Sequence, residues 1–239
     1  MKKIVVASDS FKGSVSSIEV AECAELAIHK VFPDCEVVKI PVGDGGEGTV
    51  ETLITAMGGE AVSCVVHDPL MRSVEATYGI LGDNRTAVIE MATASGLTLV
   101  PVSERNPLRT TTYGTGELIK DAMDRGCRDS LIGIGGSATN DGGTGMLQAL
   151  GFRFLDRNGN ELGLGGQILN QIYEIDCSRA LSQLRETSFT IACDVNNPFY
   201  GEKGAAYVFA RQKGADDAMV RLLDEGLRNF AEVIKRTGR

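Results

Sequence analysis

The densest concentration of groups able to hold an anion, a cation or a moving proton is Gly135-Gly136-Ser137-Ala138-Thr139-Asn140-Asp141-Gly142-Gly143. Glycine frees backbone N–H groups to converge on an anion, while Ser137, Thr139, Asn140 and Asp141 add short oxygen and amide groups. That run suits an anion nest beside a hard cation; the bland alternative is a solvated turn. Gly43-Asp44-Gly45-Gly46-Glu47-Gly48 has the G-x-G-x-x-G spacing of a dinucleotide loop, and Gly133 to Ala138 has its looser form ending in alanine. In the first, Asp44 and Glu47 would repel a pyrophosphate, so a Mg²⁺ site fits the acids better. The second reaches its helix only after Asp141-Gly142-Gly143, longer than the tight turn the fingerprint requires.

Ser8-Asp9-Ser10-Phe11-Lys12-Gly13-Ser14 offers hydroxyls, a carboxylate and a cation at the end of an apolar run. Lys12 there can neutralise a carboxylate substrate or a phosphoryl group, or be a solvated lysine on an Asx-turn. Asp194-Val195-Asn196-Asn197-Pro198 presents acid and amide groups that can ligate Mg²⁺ or take a hydroxyl proton, or form a plain turn. Glu90, between Ile89 and Met91, is either a sheet-edge carboxylate or a substrate contact. Thr110 to Glu117 opens a helix and reads as a small-polar site or as an N-cap. His29, expected on a helix surface, and His67 lie outside these loops, leaving catalysis to carboxylates and Lys12. Cys193 has no adjacent histidine to make it a nucleophile. No G-x-x-x-x-G-K-[ST] occurs, so an ATP site would be built without a Walker A loop.

The elements that must hold these loops follow from periodicity. Ile4 to Ala7 is a buried strand, and Ser16 with Glu19 has capping-box spacing for a helix running to about Val31. Glu36 to Val42 is a second strand, and Thr49 to Met57 a second helix. Three strand-like runs, Ala61 to Val66, Val74 to Leu81 and Ala87 to Met91, are separated by turn signals and suit antiparallel pairing. Gly116 to Arg125 and Thr144 to Leu150 read as helices, and Ser130 to Ile134, Phe152 to Leu155 and Ser188 to Ala192 as strands. Leu162 to Asn170 reads as irregular. Ala218 to Lys235 is an amphipathic helix with Leu222, Leu223, Leu227, Phe230 and Val233 on its apolar face.

At 239 residues, 43% hydrophobic and 23% charged, the chain can bury a sizeable core, and its skew is 29 Gly with no Trp. A net charge of -8 without a basic stripe argues against nucleic acid. No apolar stretch approaches the roughly 18 residues of a membrane span. The run after Met1 is too short for a signal peptide, and six irregularly spaced cysteines include no C-x-x-C, so a cytoplasmic protein with reduced thiols is expected.

Ordered along the chain, Ser8 to Ser14, Asp44 to Thr49, Ile89 to Ala92, Thr112 to Leu118, Gly135 to Gly143 and Cys193 to Pro198 together resemble bacterial glycerate kinases of the type I family. The resemblance runs nearly end to end. It implies an α/β fold in which a flavodoxin-like parallel-sheet domain is interrupted by a second α/β domain resembling a restriction endonuclease. Residues 1–61 would begin the first domain, residues 62–239 would form the second, and the rest of the first would lie beyond Arg239. It also implies ATP, Mg²⁺ and D-glycerate, the product being 2-phosphoglycerate, with a homo-oligomer compatible. On that reading Ser10, Lys12 and Glu90 meet substrate, and Asp9, Lys12 and Asp194 act in catalysis. Gly45, Gly46, Gly135, Gly136, Ser137, Thr139, Asn140 and Asp141 meet nucleotide phosphates, and Asp44 and Asp194 hold metal. The rival readings are a noncatalytic fragment of such a kinase and an NAD-dependent oxidoreductase.

Overall fold

A computed structural model describes residues 3–9, 11, 14–42 and 48–237. β1 (Lys3–Ser8), α1 (Ser17–Val31), β2 (Glu36–Pro41) and α2 (Thr49–Met57) come first, with β1 and β2 paired in parallel from Lys3↔Glu36 to Ser8↔Pro41. The capping box forms: Ser16 Oγ accepts from Glu19 N at 3.2 Å and Glu19 Oε2 accepts from Ser16 N at 2.8 Å. Two orphan donors of the first turn are thereby satisfied.

β3 (Gly59–His67), β4 (Ser73–Leu81) and β5 (Thr86–Glu90) form the expected antiparallel meander. Its first turn is held by Asp68 Oδ1, which accepts from Leu70 N at 2.7 Å and Arg72 N at 2.9 Å. A short helix α3 (Ala92–Ser95) follows, then α4 (Tyr113–Asp124), β6 (Asp129–Gly133), α5 (Thr144–Ala149), β7 (Arg153–Leu155), β8 (Glu174–Asp176) and β9 (Ser188–Ala192). The main sheet has the order β3-β4-β5-β6-β9; its last two pairings are parallel. β7 and β8 form a separate antiparallel pair pinned by Arg153 and Asp176. The chain closes with α6 (Ala205–Phe209) and α7 (Asp217–Arg236).

Alternation along β5 assigns its faces. Ala87 and Ile89 join Tyr78, Leu118, Ile119 and Met123 in the core beneath α4, whereas Val88 packs with Leu81 and with Val50 of α2 on the other side. The expected division at residue 61 falls inside β3, and α2 before it packs against β4 and β5 beyond it. A further core forms around α7, whose Val220, Leu223, Leu227 and Phe230 are buried. Leu222, predicted on that face, is 42% exposed, because its neighbour Leu223 takes the inward direction and one helical step turns about 100° away.

Most element bounds shift by one to three residues from those expected. α4 begins at Tyr113, three residues before the predicted start, so Gly114 and Gly116 lie inside its first turns. A Cβ on Gly114 would sit 1.9 Å from the His67 carbonyl oxygen, and one on Gly116 2.3 Å from that of Met146. Glycine is there for close approach and not to form a turn. The predicted irregular stretch contains a 3₁₀ helix over Gly166–Gln171. His29 lies in the last turn of α1, and His67 ends β3 with Nδ1 3.0 Å from the Glu117 carboxylate. Among the described residues, no helix is long and apolar enough to cross a membrane.

Glu90 corrects one expectation. β5 lies inside the sheet, between β4 and β6, so Glu90 is not at a sheet edge. It is buried, and its Oε1 accepts from Val50 N at 2.8 Å across 40 residues of sequence. The N-cap of α2 is Gly48, which has no side chain to satisfy the first-turn donors, and Glu90 supplies that capping oxygen from the sheet. Glu90→Ala is expected to destabilise by about 2–3 kcal/mol and Glu90→Gln, which keeps an acceptor, by less. Denaturant midpoints check this, and equal losses for the two variants would sink the capping role.

Candidate functional site

The register of the parallel strands places Glu90 opposite Gly133 and Gly133 opposite Ala192, so β5, β6 and β9 end in one row. From that row leave the segments carrying Met91-Ala92, the 135–143 loop and Cys193-Asp194. Open α/β sheets bind ligands beyond the carboxyl ends of parallel strands, where connecting loops diverge. The Glu90 bond to Val50 adds the start of α2 to the same end. Asp9 follows the end of β1, and Val42, which follows β2, donates its N–H to the Ser8 carbonyl at 3.2 Å.

The 135–143 loop is fixed from several sides. Leu97 N donates to the Gly136 carbonyl at 2.8 Å, Ala138 N to that of Ser95 at 2.9 Å, and Thr110 Oγ1 to that of Ala138 at 2.8 Å. Gly136, Gly142 and Gly143 have φ of 72°, 61° and 81°, the left-handed region that lets successive amides converge. What fills the far half of this nest is the protein's own Asp141, 1% exposed. Its Oδ2 accepts from Thr112 N at 2.8 Å, Thr112 Oγ1 at 2.9 Å and Gly145 N at 3.2 Å, and Oδ1 accepts from Gly143 N at 3.1 Å. The carboxylate of Asp141, expected to meet nucleotide phosphate, is itself an anion that those amides hold, and it anchors the loop.

Thr112, the N-cap of α4, makes no side-chain cap bond. Its hydroxyl donates to Asp141 and accepts from Met146 N at 2.9 Å, joining the starts of α4 and α5 through one carboxylate. Gly145 allows the approach, for a Cβ there would fall 2.0 Å from Thr111 Oγ1. The motif at 112–118 is therefore tied to the 135–143 loop.

Sequence reasoning missed Lys213. It lies in a 3₁₀ turn, Arg211–Lys213, and is 7% exposed. Its Nζ donates to Ser137 Oγ at 2.7 Å and to the Thr139 carbonyl. Burial pulls the ammonium pKa down to about 8, against the upward pull of Asp141. In sequence Arg211-Gln212-Lys213-Gly214 reads as a solvated surface, and no local pattern marks it. Lys213, Ser137, Thr139 and Asn140 border a cavity of about 640 Å³ whose remaining walls are largely apolar, with Ile132 and Leu150 among them.

Asp194 follows β9 and is exposed. Among the described residues no three His, Cys, Asp or Glu gather as metal ligands. Ser10, Lys12, Asp44, Gly45 and Gly46 lie outside the described residues.

Known proteins resemble this arrangement over nearly its whole length. The sequence profile of the glycerate kinase family matches residues 4–239. A glycerate kinase from Bacillus subtilis (strain 168) is 53% identical over 234 residues, covering 98% of this chain and 61% of the relative. A glycerate 2-kinase from Escherichia coli (strain K12) is 52% identical, again over 98% of this chain and 61% of its own length. A crystal structure of a Salmonella typhimurium LT2 protein assigned as glycerate kinase 2 matches with a TM-score of 0.91 and 48% identity, covering 98% of this chain and 63% of that one. The chain thus spans about three fifths of the length of these relatives.

Proposed function

This chain belongs to the glycerate kinase family, and on that premise we propose that it takes part in ATP-dependent phosphorylation of D-glycerate to 2-phosphoglycerate. The observation that carries the reading is the row of strand ends at Glu90, Gly133 and Ala192, which gathers three of the motifs at one end of one sheet. Residues 1–61 belong, on this reading, to a flavodoxin-like domain and residues 62–239 to a second α/β domain.

The glycerate carboxylate is met by Lys12 and Ser10, and Glu90 acts by locating α2 at the substrate's side. The attacking hydroxyl gives its proton to Asp194 or Asp9 as its oxygen bonds to the γ-phosphorus and the bond to ADP breaks. Gly45, Gly46 and the amides of Gly135 and Gly136 receive phosphate oxygens, with Ser137, Thr139 and Asn140 beside them. Asp194 and Asp44 would hold Mg²⁺, which uses one or two carboxylates plus substrate phosphates, so an exposed carboxylate at a strand end fits it. The metal supplies neutralisation of phosphate charge when bound.

A coupled assay of ADP release with D-glycerate and Mg-ATP, run on this chain and on one extended to the relatives' length, tests the reading. ADP release dependent on D-glycerate is the expected result in the extended chain. Binding of both ligands without turnover in either would favour a noncatalytic role, and glycerate-dependent reduction of NAD without ADP release would overturn the kinase reading.

A further inference from the structure

We propose that Lys213 and the side-chain amide of Asn140 form an anion site beneath the 135–143 loop, and, resting on the kinase reading, that its occupant is a phosphate group of the nucleotide. An ammonium has three donors, and the two oxygens that Lys213 meets, Ser137 Oγ and the Thr139 carbonyl, are both neutral. Among the described residues it makes no ion pair. Asp141 acts on it through space only, with its own oxygens already committed to the amides and hydroxyl of the loop.

A buried ammonium without a contacting carboxylate is costly, and a strut that merely held Ser137 and Thr139 would need no charge. The second observation is independent of the first: Asn140 Nδ2 is buried with no hydrogen-bond partner among the described residues. Buried polar groups are seldom left unpaired, and exceptions call for a missing partner. Both residues border the same cavity; the amide lacks any acceptor and the ammonium lacks an anionic one among the described residues. A tetrahedral oxyanion supplies several such oxygens at once. The depressed lysine pKa agrees, because an anion entering the site would restore the charge that burial disfavours.

Sulfate is the probe, since its charge stays constant across the range in which a lysine titrates. Titrated into the 239-residue chain at neutral pH and fixed ionic strength, it should give saturable NMR shifts in the amides of 135–143. Lys213→Gln should weaken it by about tenfold or more, and Asn140→Ala by less. Raising the pH well above 8 should weaken binding to the unmodified chain comparably, which needs no variant to fold. Asp141 is the charged side chain acting on Lys213. ATP should displace the sulfate. Absence of saturable shifts, or an affinity indifferent to both Lys213→Gln and pH, would overturn the anion site. Sulfate that ATP does not displace would overturn the nucleotide as its occupant. Sulfate binding without ADP release in the extended chain would sink the kinase reading and leave the site standing.

Discussion

Asp141→Ala is expected to lower stability by about 4 kcal/mol, because the change strips a buried carboxylate from donors that have no other acceptor among the described residues. The amides of Thr112, Gly143 and Gly145 and the Thr112 hydroxyl all point at it. Those of Thr112 and Gly145 would be left buried and unpaired or would draw in water, and the half-buried Gly143 amide would turn to solvent. Asp141→Asn should cost less, since one carbonyl oxygen remains, though its NH₂ would face N–H groups where an oxygen had accepted. Function should suffer more than stability, because left-handed glycines at 142 and 143 would lose the anion that organises them. Denaturant unfolding gives the first quantity and sulfate affinity the second. An Asp141→Ala loss below about 1 kcal/mol would show that the carboxylate is not the anchor of this loop.

The second large effect concerns Lys213 and pH. Its pKa falls from 10.5 to about 8 on folding, chiefly through burial. Below about 8 both folded and unfolded chains hold the proton, so the destabilising cost of the buried charge is fully present there. Between 8 and 10.5 the unfolded chain binds more protons, and stability therefore climbs with rising pH until the cost has gone. A shift of that size corresponds to about 3 kcal/mol across the window. Lys213→Met abolishes this contribution, so its unfolding free energy should run flatter than that of the unmodified chain above pH 8. The difference between the two profiles, measured by chemical denaturation, isolates the lysine from other titrating groups. Parallel profiles would mean that the ammonium is not desolvated. Saturating sulfate should also flatten the unmodified profile, by holding the proton on.

Local periodicity made most of the scaffold readable. Thr49 to Met57 and Ser188 to Ala192 fall within their predicted bounds, and the 61–91 meander pairs as its turn residues imply. These signals are local: capping at Ser16, alternation in β5, glycine and asparagine at tight turns. The start of α4 was not readable, because glycines chosen for a neighbour's carbonyl look the same in sequence as glycines chosen for a turn. Short pieces such as β8 and α6 carry too few residues to show a period.

The candidate site was readable as parts but not as a circuit. The loop at 135–143 stood out by composition, yet which of its polar groups face outward depends on residues far away. Asp141 is engaged by Thr112, 29 positions earlier, and Ser137 by Lys213, 76 positions later. Nothing near either partner announces the pairing. Glu90 shows the same limit, since its role as a cap for α2 requires knowing that β5 is flanked on both sides.

The row at Glu90, Gly133 and Ala192 also bears on how freely this protein can change. Its alignment is made by main-chain pairing, which every residue except proline can supply. Exposed side chains of β9, such as Ser188 and Thr190, can therefore be exchanged for other strand-forming residues without shifting where the three connections begin. Insertions are a different matter: one added residue within β6 would slip its register and turn each following side chain to the opposite face. The sheet end is thus tolerant of altered spelling and intolerant of altered length, which makes it a suitable base on which to graft new loops while leaving the strands untouched.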